Sequence, residues 1–150
     1  GRVTGNYEEF SSNIPEPYTV FPKGWRAIQL ADGSISTPAL ELFGRPSRDT
    51  PYESERCART SISQALFLVS SAQLDAKVNK SPRLDELFKG NKTNEEIVDE
   101  LYLSALSRPV SEDEKRKVMP RIGNDGEARK QSLRNLMWAL INTKEFLFNH

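Results

Sequence analysis

Histidine and cysteine are almost missing from this chain: 150 residues include one of each, His150 and Cys57. A single cysteine cannot close an internal disulfide, and Cys57 has neither a partner at zinc-ligand spacing nor the C-x-x-C-H string that attaches haem. It reads as a small apolar residue at a helix entrance rather than a reactive thiol. A histidine at the terminal position reads as part of an unstructured tip and is a poor general base, so serine or cysteine nucleophilic catalysis lacks its usual partner. Histidine-rich metal sites are excluded on the same count, although an all-carboxylate cation site is not. No glycine-rich phosphate loop is present, and no metal or cofactor is expected.

Excess charge of one sign is also missing. Lysine plus arginine and aspartate plus glutamate each number 21, and the halves before and after Arg56 are both close to balance. A nucleic-acid binder shows a basic stripe that exchanges counterions with phosphate, so nucleic acid is not an expected partner. The longest apolar runs, such as Ala65 to Val69, stop far short of the roughly 20 residues that a membrane span requires, and the sequence predicts a soluble chain without one. It starts at Gly1 with neither Met nor a signal-like apolar stretch, so it reads as a mature or excised fragment whose compartment is not written in it.

What is present divides at about Arg56. Six of the nine prolines precede it, in residues 1–56, amid turn residues and few helical patterns. That segment is expected to be an irregular arm packed on the rest. Within it, Ala27 to Ala31 alternates, Asp32-Gly33 suits a two-residue turn of positive φ, and Ser34 to Ser36 resumes, which predicts a short β-hairpin. Thr37 and Pro38 then introduce a short helix over Ala39 to Phe43 that Gly44 closes.

From residue 57 to the end, cap residues and apolar periodicity recur with short breaks, which predicts a helical domain. The fold class is therefore mainly α: a compact bundle of five to six helices behind an arm with a short hairpin, together one structural domain. Ser61 with Gln64 suits a capping box for a helix with Ile62, Ala65, Leu66, Val69 and Ala72 on one stripe. Phe67 and Leu68 fall off that stripe, so this helix is expected to be central, with a kink near Ser71 before Leu74 and Val78. Ser81-Pro82 opens a short helix ending at Lys89-Gly90. Thr93 with Glu96 and Ser111 with Glu114 are further capping boxes, and Arg108-Pro109 and Pro120 end the helices they begin. The acidic residues of their first turns are explained by the caps and the helix dipole. A last helix, Glu127 to Phe148, places Leu133, Leu136, Met137, Leu140, Ile141, Leu147 and Phe148 in one arc. Trp138 and Phe146 lie off that arc and are expected to be buried against the arm or a neighbouring helix.

Several strings are more specific than any periodicity: Val3-Thr4-Gly5, Arg26 to Leu30, Phe43-Gly44-Arg45-Pro46-Ser47-Arg48, Glu55-Arg56, Ser63 to Leu66, Glu100 to Pro109, and Trp138 to His150. Together the chain resembles, over nearly its whole length, the planctomycete domain-of-unknown-function family 1553. The resemblance implies the C-terminal domain of a large secreted protein, behind another planctomycete domain and often a cytochrome c domain near the N-terminus. It thereby implies a periplasmic or extracellular setting and the preceding domains of the same polypeptide as partners. It supplies no activity. Where family members often carry cysteines before the Glu-Arg pair, this chain has Tyr52 and Ser54, which puts a disulfide or metal there in doubt.

The densest candidate constellation is Arg45, Arg48, Asp49, Glu53, Glu55 and Arg56, three guanidiniums and three carboxylates in a proline-bounded loop. A carboxylate pair could serve glycoside hydrolysis if about 5 to 10 Å apart, and arginines fork onto sulfate or carboxylate groups of a glycan. The plainer reading is a network of ion pairs that pins the loop to the bundle. Trp25 and Tyr18 could stack on a sugar, or fasten the arm to the core. Two functions from different classes follow. One is a non-catalytic structural or interaction module of a larger secreted protein. The alternative is part of an extracellular polysaccharide-acting enzyme or a glycan-binding site shared with upstream domains.

Overall fold

The computed structural model describes residues 1–10, 21–30, 35, 37–43 and 62–148. They are mainly helical, with no strand among them. The chain divides into two compact units, residues 2–6 with 72–150 and residue 1 with 7–71.

The larger unit holds six helices among its described residues: α3 (Ala72–Asn79), α4 (Pro82–Lys89), α5 (Asn94–Leu106), α6 (Glu112–Val118), α7 (Gly126–Ile141) and α8 (Lys144–Phe148). This matches the expected helical bundle. The starts of α4, α5 and α6 are local events. Ser81, Thr93 and Ser111 each accept the backbone N–H three residues on at 3.3 Å, and Glu96 and Glu114 reach back to the N–H of their caps at 2.7 and 3.0 Å. Each cap is worth about 1 kcal/mol. Helix α5 closes on Ser107 in the left-handed conformation, and Pro109 prevents a restart. Helix α6 gives way to a 3₁₀ turn, Met119–Arg121, that contains Pro120.

Helix α7 packs on α3 and α5, and α8 also meets α5. Between them lie Leu84, Ile97, Val98, Leu101, Leu133 and Met137, all essentially without exposure. Truncating Leu133 or Met137 to alanine would cost about 2–5 kcal/mol by the usual transfer and cavity terms. Residues 2–6 belong to this unit. Val3 joins the core, and the Ser81 hydroxyl, while capping α4, donates to the Thr4 carbonyl at 2.6 Å. Gly5 (φ +71°) turns the chain there so closely that a Cβ would lie 3.2 Å from the Arg83 nitrogen.

The predicted final helix is two helices. Asn142 ends α7, and the Thr143 hydroxyl accepts the Phe146 N–H at 3.2 Å, capping a new helix on the spot. A side-chain acceptor thus replaces the backbone ladder, which the 100° projection does not register. Leu133, Met137, Leu140 and Ile141 are buried as the arc requires. Trp138 and Phe146, off the arc, are half-buried and pack against the same core.

In the smaller unit, α1 (Pro38–Leu42) starts as expected, with the Thr37 hydroxyl accepting the Leu40 N–H at 3.3 Å. The expected first arm of the hairpin is a 3₁₀ turn instead, Ala27–Gln29. The Gln29 side chain accepts the Arg26 N–H at 2.8 Å, and this local bond competes with any strand pairing. Asp32-Gly33 and the returning arm lie outside the described residues. Phe21 and Trp25 meet edge to face at 5.9 Å. Helix α2 (Ile62–Ser70) ends where a kink was expected, at Ser71, and the Ser70 hydroxyl bonds back to the Leu66 carbonyl at 2.7 Å.

Helix α2 is not the central helix its composition predicted. Ile62, Leu66 and Val69 are 82, 59 and 60% exposed. The face that meets α1 is the other one: Phe67 sits edge-on to Phe43 at 6.0 Å, and the Gln64 amide donates to the Leu42 carbonyl at 2.9 Å. Two off-stripe contacts outweigh the longer stripe because α1 offers a ring and an end carbonyl at that register. Ser61, expected to cap α2, lies outside the described residues.

Candidate functional site

All six residues of the expected arginine and carboxylate loop, Arg45, Arg48, Asp49, Glu53, Glu55 and Arg56, lie outside the described residues, as do Cys57, Tyr18 and His150. Among the described residues, the densest polar cluster is one that the sequence did not single out. It joins the end of α5, the start of α6 and the start of α8.

Arg108, just past the left-handed Ser107, forks onto two carboxylates at once. Its Nη1 and Nη2 donate to Glu114 at 2.8 Å each, and its Nε and Nη2 donate to Glu145 at 2.6 and 2.8 Å. Nη1 also donates to the Pro109 carbonyl at 3.3 Å. A guanidinium has five N–H donors, and these five bonds use them all. The Arg108 guanidinium also lies 5.6 Å from the centre of the Tyr102 ring.

The charges respond accordingly. The bonds from Arg108 hold the Glu114 carboxyl down to about 2, helped by the Ser111 cap and opposed by burial. Glu145 is lowered by the same guanidinium, and Arg108 is held more firmly protonated by Glu114 and then Glu145. Burial pushes the Tyr102 phenol up, and the Glu114 carboxylate adds to that. No member is left to act as acid or base near neutral pH: the carboxylates are ionised, the arginine is charged, and both carboxylates are bonded to the arginine. Glu145 stands 37 residues beyond Arg108, and no local pattern announces such a pair.

A second cluster ties α7 to the start of α5. Arg129 donates from Nε to Asn94 Oδ1 and from Nη2 to the Lys92 carbonyl, both at 2.6 Å. Asn94 donates in turn to the Gly123 carbonyl at 3.4 Å, and the Gly123 N–H donates to the Ser132 hydroxyl at 3.0 Å. Around the rim of the bundle, Arg83 pairs with Glu100 and Lys115 with Asp99 at 3.7 Å. These pairs join helices or hold loops. Among the described residues no group of three or more histidine, cysteine or acidic side chains could hold a metal ion. None of the described helices is long and apolar enough to cross a membrane.

One cavity of about 410 Å³ opens between α5, α6, the 3₁₀ turn and α7. Val118, Ile122, Leu136, Ala139 and Leu140 make its apolar walls. Tyr102, Arg121, Ser132, Asn135 and Thr143 supply the polar side chains. The Ser132 and Thr143 hydroxyls are already bonded, to Gly123 and Arg129 and to Leu140 and Phe146 respectively. Comparison of the chain with protein-family models, with curated proteins and with solved structures found no match in any of the three.

Proposed function

We propose that this chain is a non-catalytic structural or interaction module of a larger secreted protein, docking on the preceding domains of the same polypeptide. The observation that supports this reading is the saturated Arg108 cluster. Its five donors are all engaged, four on the carboxylates of Glu114 and Glu145 and one on the Pro109 carbonyl, joining α5, α6 and α8 and leaving no guanidinium N–H for a substrate. An arrangement of this kind holds helix ends in register and does no chemistry. The periplasmic or extracellular setting comes from the resemblance to the planctomycete family 1553. So does the alternative of a glycan site completed by upstream domains, whose residues would be Arg45, Arg48, Glu53, Glu55 and Arg56.

The test is to screen this chain and the longer protein that contains it for glycan binding and hydrolysis, beside variants Glu55→Ala and Arg56→Ala. A module gives no turnover in the isolated chain, and the two variants change folding stability alone. Hydrolysis or glycan capture by the chain, abolished in either variant while the fold is retained, would overturn the reading in favour of the alternative.

A further inference from the structure

The cavity between α5, α6 and α7 has a polar inventory of one kind. Its volume of about 410 Å³ falls within the range of small-molecule sites, and its walls are largely aliphatic. Ser132 and Thr143 are occupied by backbone groups and have little left to offer. What remains is a set of donors. Arg121 is exposed and makes no ion pair or hydrogen bond with any described residue, although it lies on the cavity wall. The Asn135 carbonyl oxygen accepts from Gln131 at 3.0 Å, which leaves the Asn135 amide N–H groups unengaged. The Tyr102 hydroxyl has no hydrogen-bond partner among the described residues, and the residue as a whole is only 5% exposed. A hydroxyl without a protein partner is free to bond to an occupant.

No acidic side chain lines the cavity. A permanently charged guanidinium, an amide N–H and a phenol O–H beside aliphatic walls complement an occupant with an apolar body and one anionic end. We infer that this cavity is a binding site for a small amphipathic carboxylate, its hydrocarbon against Val118, Ile122, Leu136 and Leu140 and its carboxylate toward Arg121 and Asn135. This goes beyond a structural module: it gives the bundle a ligand of stated chemistry. It does not depend on what the module docks against.

The experiment is a titration of the folded chain with sodium octanoate, followed by amide and methyl NMR shifts, with 1-octanol and inorganic phosphate as separate probes. Saturable shifts at Tyr102, Ile122, Leu136 and Ala139 are expected for octanoate, with phosphate giving none. Octanol, lacking the charge, should bind about tenfold more weakly or worse, and Arg121→Gln should weaken octanoate by a similar factor, as for loss of a charge-assisted bond. Arg121 is exposed, so that variant keeps the fold, and Ala139→Phe, which fills the cavity from an exposed position, should remove the shifts. Equal binding of octanoate and octanol, no effect of Arg121→Gln, shifts that survive Ala139→Phe, or no saturable shift up to millimolar octanoate would each overturn the inference.

Discussion

Arg108 and Glu114 meet fork to fork, two parallel N–H to oxygen bonds of 2.8 Å each, across the sharp connection between α5 and α6. Glu114 also closes the capping box of α6, so one carboxylate starts a helix and anchors the end of the previous one. The pair is about one-third exposed on each side, and solvent screens part of its attraction. Replacing Arg108 with Met should therefore cost about 1–2 kcal/mol of unfolding free energy, and a double-mutant cycle with Glu114→Gln should return a coupling of about 1 kcal/mol. Additive single-variant effects in urea unfolding would count against the paired geometry.

Acid sensitivity follows from the same contact. Glu114 is held at about 2 in the folded chain, against an ordinary value of 4.5. A carboxyl with a depressed folded pKa contributes stability that is complete above its unfolded pKa and disappears as pH falls through the folded one. The window is thus pH 5 to 2. Glu96, lowered by its bonds to Thr93, and Glu145, lowered by Arg108, act in the same sense. Urea midpoints measured from pH 6 to 2.5 should fall steadily in the parent chain. In Arg108→Met the fall should be shallower by about 1 kcal/mol, with the exposure of the pair taken into account.

The Ser81 hydroxyl serves two partners, accepting from Leu84 and donating to the Thr4 carbonyl, and it is almost fully buried. Ser81→Ala should destabilise the larger unit by about 1–2 kcal/mol, one helix cap plus the shorter of the two hydrogen bonds to the Thr4 carbonyl, which keeps the Arg83 N–H at 3.4 Å. Hydrogen exchange separates these effects: protection should fall at Leu84, which loses its acceptor, and at Asn6, whose N–H bonds to the Thr4 hydroxyl of the released segment. Loss at Leu84 alone would mean that residues 2–6 are held by Val3 and the Arg83 N–H without help from Ser81.

Gly123 has no room for a side chain. A Cβ there would stand 2.7 Å from both the Ala128 carbonyl carbon and the Arg129 nitrogen, backbone atoms in the first turn of α7. Gly123→Ala should cost about 3 kcal/mol, because relief requires moving the helix or the loop bonded to Asn94 and Ser132. Gly126→Ala, where a Cβ meets nothing, is the control: its positive φ alone should cost about 1 kcal/mol. Thermal unfolding of the two side by side distinguishes steric clash from backbone strain.

The helical starts and several of the stops are written locally in the amino-acid string. Thr37-Pro38, Ser81-Pro82, Thr93 with Glu96 and Ser111 with Glu114 all act over three residues, so their geometry is contained in the string that carries them. The buried arc of α7 was legible for the same reason, since Leu133, Met137, Leu140 and Ile141 share a face whatever lies opposite. Which face of α2 turns toward α1 is set by packing, because it depends on the register of Phe43 and the Leu42 carbonyl rather than on the length of the stripe. So is the break at Asn142, where a threonine hydroxyl takes over from the helical ladder. The Arg108 to Glu145 bond and the cavity walls join segments up to 37 and 41 residues apart along the chain, and neither charge nor periodicity encodes a distance of that kind. Such contacts exist only once helices with local instructions have packed, and the donors left facing the cavity are a property of that packing.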